Sequence, residues 1–180
     1  MNNKKPPFKV KQSNIVYKNN LVTLSSDLVV FDDGLEKEFT KVEMKPGTSI
    51  LAINDDNEVY LVEEYKHAIE SFSVETVSGG IEENETPLET AKRELEEEIG
   101  IKASGWIDLG FVDPFTSAIN SRNFLFLAKN LTQTKVNPDD SESIKIIKIP
   151  LQKAIQMVEN SEITHAASCI LILRAAEYIN

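Results

Sequence analysis

Apolar residues recur along this chain with two different periods, and the switch between the periods outlines its elements. From Ile15 to Met44, short apolar and β-branched runs are interrupted at Asn19-Asn20, Ser25-Ser26 and Asp32-Asp33-Gly34. That pattern predicts short strands joined by turns. The dozen residues before it are polar, basic and proline-containing, and read as a loose arm. Pro46-Gly47 breaks the pattern and marks a boundary. Beyond it, "SILAI" and "VYLVEEYK" flank "NDDN", as in a β-hairpin, and "SFSVETV" reads as one further strand ending at Ser78-Gly79-Gly80.

The period then lengthens. Leu88, Ala91, Leu95 and Ile99 form one apolar stripe at helical spacing. Thr86 suits the N-cap, Pro87 the first helical position, and Glu89 completes a capping box. Gly100 supplies the stop. "WIDLGFVD" and "NFLFLAKNL" read as buried strands, and "SIKIIKIP" as an alternating strand halted by Pro150. Leu151, Ala154, Ile155 and Val158 predict a second amphipathic helix. "THAASCILILRAAEYI" predicts a third, with Thr164 as its cap. Strands mixed with helices imply an α+β or layered α/β domain. A length of 180 residues with 41% hydrophobic content suits one such domain with a small appendage.

Charge narrows the functions. A formal net charge of −10 argues against nonspecific binding to nucleic acid or an anionic membrane. No apolar run reaches spanning length and "MNNKKPPFKV" has no apolar signal core, so the expected location is cytoplasmic. Cys169 is the single cysteine, which rules out an intramolecular disulfide and speaks against a cysteine-based zinc site. His67 and His165 lack metal-like spacing and read as ordinary polar histidines.

The acids of "RELEEEIG" are placed against electrostatic convenience. Glu94, Glu97 and Glu98 share one helical face, within an arc of about 100° that borders the apolar stripe. Like charges at this spacing repel, and the helix C-terminus is already negative. Glu89 and Glu96 fall on the far side. Three carboxylates at a buried margin call for a cation, and Arg93 alone cannot offset three. Hard oxygen donors without histidine or cysteine select Mg²⁺, or Mn²⁺. The pattern alone leaves an acid-rich surface helix open.

Spacing decides between these. Gly79, Glu85, Arg93, Glu94, Leu95, Glu97, Glu98, Gly100 and Ile101 fit G-x5-E-x7-R-E-U-x-E-E-x-G-U, where U is a bulky aliphatic. This resembles the Nudix hydrolase signature. The flanking segments "VYLVEEYKHAIESFSVETVSGGIEENE" and "DDSESIKIIKIPLQKAIQMVENSEITHAAS" resemble the ADP-ribose and nucleoside-diphosphate-sugar pyrophosphatase group. The resemblance implies an α/β/α sandwich with a mixed sheet over residues 46–180. It also implies a small N-terminal antiparallel β-domain, residues 1–45, that builds a homodimer.

The activity implied is Mg²⁺-dependent hydrolysis of a small-molecule nucleoside diphosphate linked to a group X. Glu94 and Glu98, with Glu97 and the carbonyl of Ser78, would hold the metal, and Lys66 and Arg122 would contact substrate. The general base would be Glu142 or Asp140 from "NPDDSES", or Glu97 within the box. Departures from the group fall at "ETVSGG", at Asn84 and at "VDPFTSAINSRNF", leaving ADP-ribose and a sugar nucleotide as equal candidates. A non-catalytic nucleotide sensor, or a hydrolase of oxidised nucleoside triphosphates, are the alternatives. The complete box argues against the first and the long N-terminal β-region against the second.

Overall fold

The computed structural model describes residues 5–134 and 144–179. In chain order the first elements are β1 (Phe8–Lys18), β2 (Val22–Phe31), β3 (Glu36–Met44), β4 (Gly47–Ile53), β5 (Glu58–Lys66), β6 (Ser71–Glu75) and β7 (Val77–Gly80). Then follow α1 (Pro87–Ile99), β8 (Ile101–Val112), β9 (Ile119–Asn120), β10 (Asn123–Gln133), β11 (Lys145–Pro150), α2 (Leu151–Glu159) and α3 (Ala166–Ile179). They fall into two compact units. One holds the chain up to Lys45 with Asp113–Ser121, and the other holds Pro46–Val112 and the chain from Arg122 onward.

The first unit is a sheet in the order β1-β2-β3-β9. Two expectations change here. Of the segment expected to be a loose arm, the stretch from Phe8 onward is the start of β1, whose ladder with β2 sets Phe8 opposite Phe31 and Val10 opposite Val29. The Phe8 ring packs 5.5 Å from Phe31 and 5.6 Å from Phe39, while Lys11 pairs with Glu36. Alternation, not mean polarity, governs this stretch. Ser25-Ser26 is no turn either. It lies in the middle of β2, bonded to β1 on one side and β3 on the other, so both of its edges are satisfied as strand. Residues 113–121 join this unit rather than 46–180, because Ile119 and Asn120 pair in parallel with Val42 and Glu43 of β3.

The second unit is built on a mixed sheet in the order β11-β5-β4-β10-β8. β4 and β10 are parallel, and the other pairs are antiparallel. Every residue of β4 from Thr48 to Ile53 is buried, as expected of a strand covered on both faces. Ile50 and Ala52 pack with Ala91, Leu95 and Ile99 of α1, whereas Leu51 and Ile53 join Leu171 and Ile172 of α3. This is the expected α/β/α sandwich, with burial of each large aliphatic worth about 1.5–3 kcal/mol.

"SFSVETV" is not one strand. β4 and β5 pair only at Ala52–Tyr60 and Ile53–Val59 and then diverge. The chain enters the opening, pairs first with β5 as β6, and crosses at Thr76 to pair with β4 as β7. That crossing delivers Ser78-Gly79-Gly80 to the edge of α1.

Candidate active site

Local chemistry places α1. Thr86 Oγ1 accepts the Glu89 N–H at 3.3 Å, and Glu89 Oε2 accepts the Thr86 N–H at 2.8 Å, completing the capping box. At the other end Gly100 adopts φ +63°, and its N–H donates to the Glu96 carbonyl at 3.0 Å. A side chain at Gly100 would be strained in this left-handed conformation.

Between the strand and the helix, Arg93 binds the loop down. Its Nε and Nη2 donate to the two Glu85 oxygens at 2.9 and 3.1 Å, and Nη2 also reaches the Gly80 carbonyl at 3.4 Å. Thr90, fully buried, donates its hydroxyl to Glu85 at 2.7 Å. Arg93 first, then Thr90, hold the Glu85 carboxyl down to about 2. Arg93 is in turn pushed above its usual range, most strongly by Glu85. Asn84, where the group often has glycine, sits at φ +70°, a conformation asparagine tolerates better than most residues.

The box acids differ in exposure. The Glu94 side chain is 14% exposed and the Glu97 side chain 49%; Glu98 is half-buried. Glu96 pairs with Lys102 at 2.9 Å, away from the others. Arg93 Nη1 donates to Glu94 Oε1 at 2.8 Å and to Glu97 Oε2 at 2.9 Å, so one guanidinium neutralises part of the repulsion between them.

Glu94 lies directly against Gly79. A Cβ on Gly79 would stand 1.9 Å from Glu94 Oε1, so no other residue fits there without displacing the carboxylate. The strand side of this contact is fixed by pairing of Ser78 with Ser49 and of Gly79 with Thr48. Thr48 Oγ1, buried in this ladder, has no protein hydrogen-bond partner.

Carboxylate oxygens, a glycine cradle and an orphaned hydroxyl suit a hard, partly hydrated cation. As the side chains stand, no group of three or more His, Cys, Asp or Glu side chains among the described residues already converges as a metal cage. The Arg93 guanidinium stands between two of the acids instead.

Of the other residues singled out, Lys66 bonds Glu64 and lies within the fields of Glu75 and Glu98. Its partial burial opposes the charge, but these acids outweigh burial and raise it above the ordinary lysine range. Arg122 stacks with its Cζ 3.8 Å over the Phe111 ring. Asp140 and Glu142 lie outside the described residues.

Sequence reasoning passed over Glu75 and Ser168, and read His165 only as an ordinary polar histidine. The Glu75 carboxylate is buried and approaches His165 Nδ1 at 3.2 Å, and Ser168 is fully buried against Thr76. Their spacing of about 90 residues leaves no local signal; only the position of Glu75 inside an apolar strand marks it as unusual.

Residues 43–167 match the model of the NUDIX domain. The chain is 25% identical to a Bacillus subtilis protein named ADP-ribose pyrophosphatase, over 87% of this chain and 86% of that one. It is 26% identical, over the same shares, to a Bacillus methanolicus methanol dehydrogenase activator. It is 24% identical to the Escherichia coli ADP compounds hydrolase NudE, over 91% of this chain and 89% of that one. A crystal structure described as an ADP compounds hydrolase superposes with a TM-score of 0.85 at 21% identity, covering 99% of this chain and 97% of that one. With the signature on α1 and its loop, the sandwich around it and a domain match over most of the chain, the protein belongs to the Nudix hydrolase family.

Proposed function

We propose that the protein hydrolyses the diphosphate bond of a nucleoside diphosphate linked to a second group, giving a nucleoside monophosphate and a phosphorylated X. The observation that carries this is the apposition of Glu94 to Gly79 inside a complete signature, which gathers carboxylate and backbone oxygens at one edge of the sheet. The names of the Bacillus subtilis and Escherichia coli relatives favour an ADP compound, ADP-ribose foremost. Nucleotide sugars remain within the same chemistry.

Glu94 and Glu98, with Glu97 and the Ser78 carbonyl, would hold Mg²⁺. The ion would supply charge neutralisation at the diphosphate and a more acidic water. Arg93 keeps the Glu94 and Glu97 carboxylates apart from full repulsion and holds the 80–85 loop on α1. Lys66, charged and set among Glu64, Glu75 and Glu98, is suited to meet a phosphate oxygen. Arg122, presented flat on Phe111, is the second cation assigned to substrate. Glu142 takes the proton of the attacking water, with Asp140 and then Glu97 as the substitutes.

The first unit supports a homodimer. Its described residues include only two buried side chains, Ser25 and Val29, while Val10, Ile15, Val16 and Tyr17 of β1 are exposed. No helix of the described residues is long and apolar enough to cross a membrane; a cytoplasmic location is part of this proposal.

The test is a panel of ADP-ribose, nucleotide sugars, dinucleotides and nucleoside triphosphates with Mg²⁺ and Mn²⁺. ADP-ribose or a nucleotide sugar should be cleaved to a monophosphate pair. Preference for triphosphates, or binding without cleavage, would overturn the reading. Within it, Glu142→Gln should lower turnover by about 10²–10⁴-fold, the worth of a general base, at unchanged metal affinity. If that variant loses less than tenfold while Asp140→Asn loses far more, the two exchange roles. Mild losses in both would move the base to Glu97.

A further inference from the structure

Thr76 is where the chain leaves β5 for β4, and a residue in transit between two strands has no ladder partner for its N–H. Thr76 is fully buried, so that donor needs a partner from elsewhere. It comes from α3. The Thr76 N–H donates to Ser168 Oγ at 2.9 Å, and Thr76 Oγ1 lies 3.1 Å from the same oxygen. His165 Nδ1 stands 2.9 Å from Ser168 Oγ and 3.2 Å from Glu75 Oε2.

One proton arrangement serves all four of these contacts. A carboxylate only accepts, so His165 Nδ1 carries the proton and shares it between Glu75 and Ser168. Ser168 Oγ then accepts from His165 and from the Thr76 N–H, and donates its own proton to Thr76 Oγ1. The charged groups facing His165 are Glu75 and Lys66; burial, ahead of either, holds the ring below its usual range and therefore neutral. The network requires only the Nδ1–H, which the neutral tautomer supplies.

Two residues beyond Thr76 lies Ser78, whose carbonyl the proposed function assigns to the metal. We propose that Ser168 and His165 are positioning residues: from the start of α3 they clamp Glu75-Thr76, and so set where the Ser78-Gly79 backbone meets Glu94. This inference rests on the metal reading of the Ser78–Glu94 edge. It adds to that reading a second support from the opposite face of the sheet. α1 holds the loop through Arg93 and Gly80, and α3 holds its root through Ser168 and Thr76. A ligand oxygen supplied by backbone can be aimed only through the chain on either side of it, which is why both anchors matter.

The test measures Mn²⁺ affinity of the substrate-free protein, from the electron paramagnetic resonance signal of unbound Mn²⁺, beside the Mg²⁺ dependence of hydrolysis. Ser168→Ala and His165→Ala should each weaken Mn²⁺ binding and raise the half-saturating Mg²⁺ by about tenfold, as loss of outer support does at other metal sites. Turnover at saturating Mg²⁺ should stay near that of the unsubstituted protein. His165→Asn, which keeps an N–H where Nδ1 stands, should restore affinity. Leu171→Ala, on the same helix but in the apolar core, should lower the melting temperature and leave affinity unchanged. If Ser168→Ala does not fold, the His165→Ala and His165→Asn pair decides.

Unchanged affinity in the clamp variants, with an inactive Glu98→Gln, overturns the clamp alone. An equal loss in Leu171→Ala also overturns it, since any weakening of α3 would then do the same. Full turnover in both Glu94→Gln and Glu98→Gln overturns the metal reading and the clamp with it.

Discussion

The two units of this chain use strands for opposite purposes. In the first, β1, β2 and β3 are long and paired along most of their length, yet the buried side chains among its described residues are Ser25 and Val29 alone. In the second, β4 is short and buried from Thr48 to Ile53, and its alternate residues feed two separate cores. Hydrogen bonds alone contribute little net stability, because the unfolded chain makes them with water. A four-stranded sheet with so small a core cannot offset the entropy of ordering its own residues. The crowded acids lie in the second unit, beside a packed core, and the exposed apolar residues of β1 in the first are the ones the proposed homodimer would cover.

The sharpest way to break this contrast is to attack the chemistry without the fold. Glu94→Gln and Glu98→Gln should each lower turnover by about a hundredfold or more if both hold the metal. Oligomeric state should be unchanged. Near-normal turnover at saturating Mg²⁺ in either variant would remove that residue from the site.

The converse experiment removes the first unit's three long strands. Truncation near residue 45 also strips Ile119-Asn120 of their partner strand. Sedimentation of the intact protein should give a dimer, and the truncated chain should be monomeric or aggregated. A monodisperse, active monomer of the full chain at micromolar concentration would dissolve the assigned role of the first unit.

A smaller effect tests how α1 holds its loop. Glu85 has a folded value near 2, depressed first by Arg93, against an ordinary value of 4.5. A depressed carboxyl stabilises the fold above its unfolded value and loses that contribution as pH falls toward its folded one. The melting-temperature difference between the unsubstituted protein and Glu85→Gln should therefore be complete above about pH 5 and close between about pH 4.5 and pH 2. A difference that persists unchanged to pH 2 would mean that the Arg93 pair adds nothing. Glu96→Gln should have the least effect of all. It removes an exposed pair with Lys102, worth about 0.2–1 kcal/mol at most, and should leave turnover as it was.

Much of the second unit was legible before the structure, because its signals are local. A capping box, a proline at the first helical turn and a terminal glycine concern contacts within four residues, so α1 appears where the sequence places it. The signature is legible for the same reason: it is one helix and the loop before it. The hairpin of β4 and β5 follows from Asn54, whose side chain accepts the N–H groups of Asp56 and Glu58 at 3.0 and 2.8 Å.

Elsewhere the deciding partner is distant in sequence. Ser25-Ser26 has the composition of a turn and becomes mid-strand because β1 and β3 satisfy both its edges. The chain from Phe8 onward becomes β1 because β2 offers it a ladder.

What the sequence determined by itself is the helix, its caps, the face its acids share and the family to which that spacing belongs, all of them consequences of short-range geometry. What only the tertiary structure decided is where the chain breaks at Thr76, which strand receives Ile119-Asn120, and that Ser168 and His165 stand behind the loop. Each of these depends on which backbone donor is left unpaired once the strands have chosen their neighbours, and no local pattern records that choice.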